Sequence, residues 1–266
     1  MGIVNVTPDS FSDGGQHADA DAALRHGLAL VEAGADWLDV GGESTRPGAA
    51  PVSEDDELAR VLPVITAIRR HWSGPVSIDT MKPRVARAAV EAGASGWNDV
   101  SALSHSHDSL EVAAALKVPV FLMHMKGAPP TMQDAPAYGD VVAEVRTTLL
   151  ARARAAEAAG VVRSDIWLDP GIGFGKTTAH NLALTARLSE LCAAGYPVLF
   201  GASRKRMIAD LDAPAPAPDA RLGGSLALAL AAAAQGAAMV RVHDVRETVQ
   251  ALSVQAALDG AAVSAR

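Results

Sequence analysis

The sequence predicts an α/β protein, a single-domain (β/α)8 barrel of the TIM type spanning residues 1–266, and three observations predict it. Eight short aliphatic runs recur along the chain, each ending in a polar residue and then a loop. Patterns of helical period lie between them. Several of these helices close on a glycine followed by Ala or Val just before the next strand, at 34–35, 93–94, 160–161 and 236–237. Glycine suits the left-handed residue that ends a helix. Strands and helices alternating in this number use up the whole chain and favour a closed parallel barrel. A doubly wound open sheet is the competing arrangement.

Taken in order, the first strand is expected at 2–6 and a first helix at 20–33. The strand at 37–40 is followed by a helix at 55–70, where Ser53 and Asp56 resemble an N-cap pair. The strand at 76–79 leads to a helix at 85–92, and the strand at 97–100 to a short one near 110–116. The strand at 119–124 precedes the long helix at 141–159, and the strand at 166–169 precedes a helix at 181–194. After the strand at 198–201, the Pro- and Ala-rich stretch 211–218 reads as a surface loop, because the roughly 50 residues after it are too few for a second core. The Ala- and Leu-rich run 225–235 is expected as a packed helix, being shorter than the roughly 20 residues a membrane span needs. The last strand is expected at 239–243, with Asp244 capping a final helix over 245–258.

Composition narrows the function. An apolar fraction of 49 % supplies a large core, and 4 % aromatics make that core aliphatic and Ala-rich. The net charge of -7 argues against a bulk surface for nucleic acid or acidic membrane, while a few local cations can still hold a small anion. A lone cysteine, Cys192, excludes an intrachain disulfide and a Cys-cluster metal site. With no basic and apolar leader pattern, a cytoplasmic protein is expected. The chain starts inside its first strand, so a short element before it is expected to be missing.

The chemistry sits at the strand ends. Asn5, Asp39, Asp79, Asn98, His124, Asp169, Arg241 and His243 fall at or near the C-terminal ends of the expected strands, which meet on one face of a barrel. Asp79, Asn98 and Asp169 suit a flat, nitrogen-rich heterocycle, since a carboxylate takes two N–H bonds from an amino-pyrimidine edge and an amide both donates and accepts. Lys205 can donate to a ring nitrogen or carbonyl. Arg46, Arg241 and His243 suit a phosphate, and Asn5 offers a neutral oxygen to a hard cation such as Mg2+. Each also has a purely structural reading: Asp79 and Asp169 as helix caps, His124 as a core histidine, Arg241 as an ion-pair partner, Asp39 as a residue holding the loops. Residues 171–177 have the glycines of a phosphate loop without its spacing, which excludes a nucleotide P-loop.

The runs 5–15, 41–48, 77–80, 98–100, 122–125, 169–176, 203–205 and 241–243 resemble, in order, the motifs of the dihydropteroate synthase family. The resemblance covers nearly the whole chain. It implies condensation of 6-hydroxymethyl-7,8-dihydropterin diphosphate with 4-aminobenzoate, releasing pyrophosphate, in folate synthesis; the family is the target of sulfonamides. It also implies that Asp79, Asn98, Met123, Asp169 and Lys205 bind the pterin. Asn5, Thr45, Arg46, Arg241 and His243 would hold the diphosphate, with Mg2+ near Asn5, and Phe11, Thr45, Pro47, Phe174 and Ser203 would surround the aminobenzoate. Catalysis would fall to Asp79, Lys205, Arg241 and His243, under two loops hinged at Gly14-Gly15 and Gly41-Gly42. Arg206 stands where relatives carry a small hydroxyl residue, and either pairs with the aminobenzoate carboxylate or turns to solvent. Met81 and Trp97 depart from the family beside the pterin motifs and are expected to point away. The apolar helices 225–235 and 249–258 fit the family's homodimer. A pterin-binding methyltransferase barrel and a catalytically silent paralogue are the competing functions.

Overall fold

The computed structural model describes residues 1–7, 15–44, 50–127, 132, 133 and 135–264. Its strands are β1 (Gly2–Asn5), β2 (Leu38–Gly41), β3 (Val76–Asp79), β4 (Gly96–Asp99), β5 (Val120–Met123), β6 (Ile166–Asp169), β7 (Leu199–Phe200) and β8 (Met239–Val240). β1 to β6 pair in parallel in chain order, and β7 pairs with β8 in parallel. Bridges from Leu168 to Val198 and from Gly2 to Val242 join the two sheets at both edges. At the second seam Ile3 N–H donates to Val242 O at 3.1 Å and Val242 N–H donates to Met1 O at 2.9 Å. The sheet therefore closes on itself as the expected (β/α)8 barrel.

The helices are α1 (Gly15–Glu32), α2 (Glu54–His71), α3 (Pro83–Glu91), α4 (Ser109–Leu116), α5 (Val141–Ala159), α6 (Thr178–Ala186), α7 (Ser189–Cys192), α8 (Arg206–Leu211), α9 (Leu222–Ala234) and α10 (Val245–Ser264). Ser53 caps α2 as expected, its side chain accepting from Asp56 N–H, with four acids in the first turn to oppose the helix dipole. The four glycines that close the repeating helices all sit at positive φ, 101° at Gly34, 111° at Gly93, 109° at Gly160 and 95° at Gly236. A side chain there would meet the left-handed penalty that glycine escapes.

Three expectations change. The helix expected at 181–194 is broken into α6 and α7: Arg187 folds back onto Glu190 at 2.7 Å and reaches Asp140 at 3.3 Å, while Leu188 and Leu191 turn into the core. α8 forms before the Pro-rich loop, where no helix was expected. Asp244 gives its backbone oxygen to Thr248 N–H at the start of α10, but its carboxylate is taken by Arg204.

Strand side chains alternate between two cores. Val40, Ile78, Trp97, Leu122 and Leu168 face the helices and are fully buried. Met1, Phe121 and Leu199 fill the barrel floor with Trp37, Trp167 and Met239 packed against them. Trp37 meets Phe121 edge-on at 5.6 Å and 86°. Trp97 thus points away from the barrel interior, as expected, and its indole N–H donates to Thr80 O at 2.8 Å. A cavity of about 390 Å3 opens at this floor, lined among others by Met1, Ala35, Met239 and Leu252, at the far end of the barrel from the polar strand ends.

Candidate active site

Above the aromatic floor the interior turns polar. Asp39, on β2, is fully buried and accepts three bonds: from Ser77 Oγ at 2.5 Å, Asn98 Nδ2 at 2.9 Å and Arg241 Nε at 2.6 Å. Arg241 also donates from Nη2 to Asp79 Oδ2 at 2.8 Å. One guanidinium edge is thus fixed by two carboxylates from adjacent strands, while Ser77 and Asn98 lock the carboxylate that anchors it. Asp79 is committed to Arg241 rather than to a helix cap. Asn98, giving Nδ2 to Asp39, presents its oxygen as the acceptor end.

Burial sets the protonation of this cluster. Desolvation pushes Asp79 up to about 7, with Asp39, Glu57 and Asp99 adding repulsion and Arg241 opposing it. Asp169, at the end of β6, is pushed up to about 6 by desolvation, against the N–H of Gly171 at 2.7 Å and the charges of Lys205 and Arg241. Asp79 and Asp169 therefore titrate in the physiological range. Gly201 lies between the two halves of the site: a Cβ built there would stand 3.8 Å from both Arg241 Cβ and Asp169 Oδ2.

The loops after β6, β7 and β8 complete the rim. Lys205 Nζ lies 4.1 Å over the ring of Phe174. Ser203 Oγ accepts from His243 N–H at 3.2 Å and lies 3.0 Å from His243 Nδ1. Burial and the neighbouring Arg241 hold His243 down at about 3, so the ring is neutral. A neutral ring that accepts from Ser203 at Nδ1 carries its proton on Nε2. Arg204, held at φ 59°, bonds both Asp244 oxygens, at 3.0 and 2.5 Å, and so ties the β7 and β8 loops together one residue further on. Met123 packs beside Gly171, where a Cβ would lie 3.2 Å from Met123 Cγ.

Asp79, Asn98, Met123, Asp169, Phe174, Ser203, Lys205, Arg241 and His243 thus share the C-terminal end of the barrel, and half-buried Asn5 ends β1 opposite Gly41. Phe11, Thr45, Arg46 and Pro47 lie outside the described residues, as does Gly14. Arg206 turns to solvent: its side chain is 90 % exposed and lies 3.6 Å from Asp210. Ser203, expected against the aminobenzoate, spends its hydroxyl on His243. Gly41 and Gly42 are close-approach positions: a Cβ would stand 3.3 Å from Asp79 Cβ at the first and 2.8 Å from Val61 Cγ1 at the second. His124 is a buried acceptor, 3.0 Å from Lys176 Nζ.

The placement of Asp39 at the centre of the network was legible only as a loop-holding role, and Lys176 was visible only as part of a glycine-rich motif. Among the described residues no three His, Cys, Asp or Glu side chains group as a metal site. Asn5 offers one neutral oxygen, which fits a cation shared with a diphosphate and water rather than caged by protein.

A family model described as "Pterin binding enzyme" matches residues 1–243. Dihydropteroate synthase of Escherichia coli (strain K12) is 50% identical over 254 residues, covering 96% of this chain and 89% of that protein. Among solved structures, Xanthomonas albilineans dihydropteroate synthase with 4-aminobenzoic acid aligns with a TM-score of 0.92 at 54% identity, over 97% of this chain and 92% of that one. Dihydropteroate synthase from Xanthomonas albilineans in complex with 7,8-dihydropteroate aligns with a TM-score of 0.89 at 50% identity, over the same 97% and 92%. Agreement over almost the full length of both sequence and fold means that the chain belongs to the pterin-binding enzymes, in the dihydropteroate synthase family.

Proposed function

We propose that this barrel condenses 6-hydroxymethyl-7,8-dihydropterin diphosphate with 4-aminobenzoate to 7,8-dihydropteroate and pyrophosphate, within one domain spanning residues 1–266. The observation that carries the reading is the fixed guanidinium of Arg241, set between Asp39 and Asp79 beside Asp169 and His243. It places anion-binding donors next to carboxylates suited to an amino-pyrimidine ring.

Asp79, Asp169 and the oxygen of Asn98 accept the pterin's N–H groups, Lys205 donates to its acceptors, and Met123 packs on the ring. The three Arg241 N–H bonds not given to Asp39 and Asp79, and the Nε2–H of His243, take the diphosphate oxygens. Cleavage of the C–O bond leaves a methylene cation delocalised into the pterin. Ionised Asp79 stabilises that cation, and Arg241 with His243 stabilises the departing charge. The arylamine nitrogen then forms the C–N bond and loses a proton, so no protein nucleophile is needed. Phe174 forms one wall for the aminobenzoate. Asn5 would offer one protein oxygen to a Mg2+ ion, which when bound would supply further charge neutralisation to the diphosphate.

Two assignments concern the chain's surroundings. Val254 and Leu258 on α10 are 56% and 67% exposed, which supports a homodimer contact on that face; light scattering of the purified protein tests it. No described helix is long and apolar enough to cross a membrane, which is compatible with a cytoplasmic enzyme. The deciding assay is pyrophosphate release that requires both dihydropterin diphosphate and 4-aminobenzoate. Release from the dihydropterin diphosphate alone, or none at all, would refute the proposed reaction.

A further inference from the structure

Lys176 is a buried lysine that the proposed chemistry does not use. It ends the loop between β6 and α6 and is 2% exposed. Its Nζ donates to three carbonyls, Gly171 O at 2.9 Å, Phe174 O at 3.0 Å and His124 O at 3.1 Å, and lies 3.0 Å from His124 Nδ1. Among the described residues it forms no ion pair. An ammonium withdrawn from water without a carboxylate is costly unless its protons are all bonded, and here its own loop supplies two acceptors and His124, beyond β5, the other two.

The loop is shaped for that purpose. Gly171, Gly173 and Gly175 sit at φ 65°, 83° and 62°. A Cβ at Gly171 would fall 2.0 Å from His124 O, and one at Gly175 would fall 2.2 Å from Lys126 O, so the loop lies directly against the backbone that follows β5. The same turn carries three site contacts. The N–H of Gly171 holds Asp169 at 2.7 Å, Gly173 backs the Lys205 stem, with a Cβ there 3.2 Å from its Cδ, and Phe174 lies under the Lys205 ammonium at 4.1 Å.

We propose that Lys176 is a positioning residue for the condensation: its ammonium is the internal strut of the β6–α6 loop, which sets the Phe174 face toward the aminobenzoate and backs the Lys205 amine toward the pterin. This rests on the proposed reaction. The groups facing Nζ are His124 beyond β5, Asp169 at the end of β6 and Lys205 beyond β7. Burial lowers the Lys176 amine to about 7, with Asp169 opposing the shift and Lys205 adding to it. Above that pH the amine keeps two protons for three carbonyls and an imidazole nitrogen.

The test compares the wild-type enzyme with Lys176→Met by pyrophosphate release at varied concentrations of each substrate. The expected result is a raised KM for both substrates, about tenfold for 4-aminobenzoate through Phe174 and at least threefold for dihydropterin diphosphate through Lys205 and Asp169. A role in folding alone would lower the active fraction, and hence kcat, and leave both KM values in place; that result overturns the proposal. If Lys176→Met does not fold, Lys176→Gln, which keeps two N–H donors, takes its place: raised KM values support the strut, and unchanged KM values overturn it. A wild-type protein without two-substrate turnover instead refutes the reaction itself, which separates the two failures.

Discussion

Replacing Asp39 by Asn tests the idea that a residue out of reach of the reacting atoms organises the site. The carboxylate accepts from Ser77 at 2.5 Å, Asn98 at 2.9 Å and Arg241 at 2.6 Å from full burial. An asparagine keeps the shape, and the Ser77 hydroxyl can turn to accept from the new amide. The charge is what is lost. A hydrogen bond to a charged group contributes about 1.5–3 kcal/mol and a neutral one about 0.5–1.5. Arg241 keeps Asp79, so the penalty falls short of the roughly 3–5 kcal/mol of a wholly unpaired buried charge. We expect a stability loss of about 2 kcal/mol by urea denaturation, and a fall in kcat/KM of roughly 10–100-fold as the guanidinium loses its anchor.

The same substitution moves a pKa. Asp39 repels Asp79, which stands at about 7. Removing that charge, and leaving Arg241 to Asp79 alone, favours the ionised form of Asp79. If ionised Asp79 is required, wild-type kcat/KM rises with pH through about 7, and in Asp39→Asn this acid limb moves to lower pH. Because kcat/KM reports the free enzyme, the comparison of two pH profiles reads the shift directly. A limb that stays in place, with kcat/KM within twofold of wild type, refutes the organising role of Asp39.

Three further outcomes follow from the geometry. Asp79→Asn should remove most turnover yet raise stability at pH 8. A carboxylate whose folded pKa lies above its unfolded value of 3.8 contributes stability that is lost as pH rises from 3.8 through about 7, so the neutral amide avoids a cost of roughly 1–4 kcal/mol, read by thermal melts at pH 5 and pH 8. Ser203→Ala should raise the KM for dihydropterin diphosphate about tenfold and leave that for 4-aminobenzoate nearly unchanged, because the hydroxyl bonds His243; the opposite split would return Ser203 to the aminobenzoate. Arg206→Ala should leave the KM for 4-aminobenzoate within twofold, since the side chain is 90 % exposed beside Asp210.

What the sequence discloses here follows from range. The glycines at 34, 93, 160 and 236 announce helix ends because their requirement for positive φ is local. The polar residue ending each strand announces the rim because barrel strands all point the same way. The Asp39–Arg241 bond joins residues 202 apart, and Arg241–Asp79 joins residues 162 apart. No spacing reveals such a pair, and taken singly Asp39 reads as a loop-holder and Arg241 as either ligand or ion-pair partner. The broken helix at 187–188 was hidden for the same reason: its cause includes Asp140, ahead of the previous helix. Arg206 is legible as a departure from the family, but its direction depends on Asp210 one helical turn later.

The network also bears on how a chain of net charge -7 would receive the diphosphate of the proposed reaction. The acids do not merely surround Arg241; two of them hold it by one edge, and each does so from a strand whose register is fixed by pairing, with Val40 opposite Ile78 and Asp39 opposite Ser77. Without the diphosphate, Asp39 and Asp79 balance the guanidinium and keep it from swinging. In the proposed reaction the diphosphate would meet an edge that is already oriented, so little would be spent on ordering a long side chain. Departure of pyrophosphate would then leave the methylene cation beside Asp79, the carboxylate that shares the guanidinium. On that proposal carboxylate and guanidinium serve opposite charges of one bond cleavage from a single hydrogen-bonded pair, and the negative charge of the interior assists the reaction rather than opposing it.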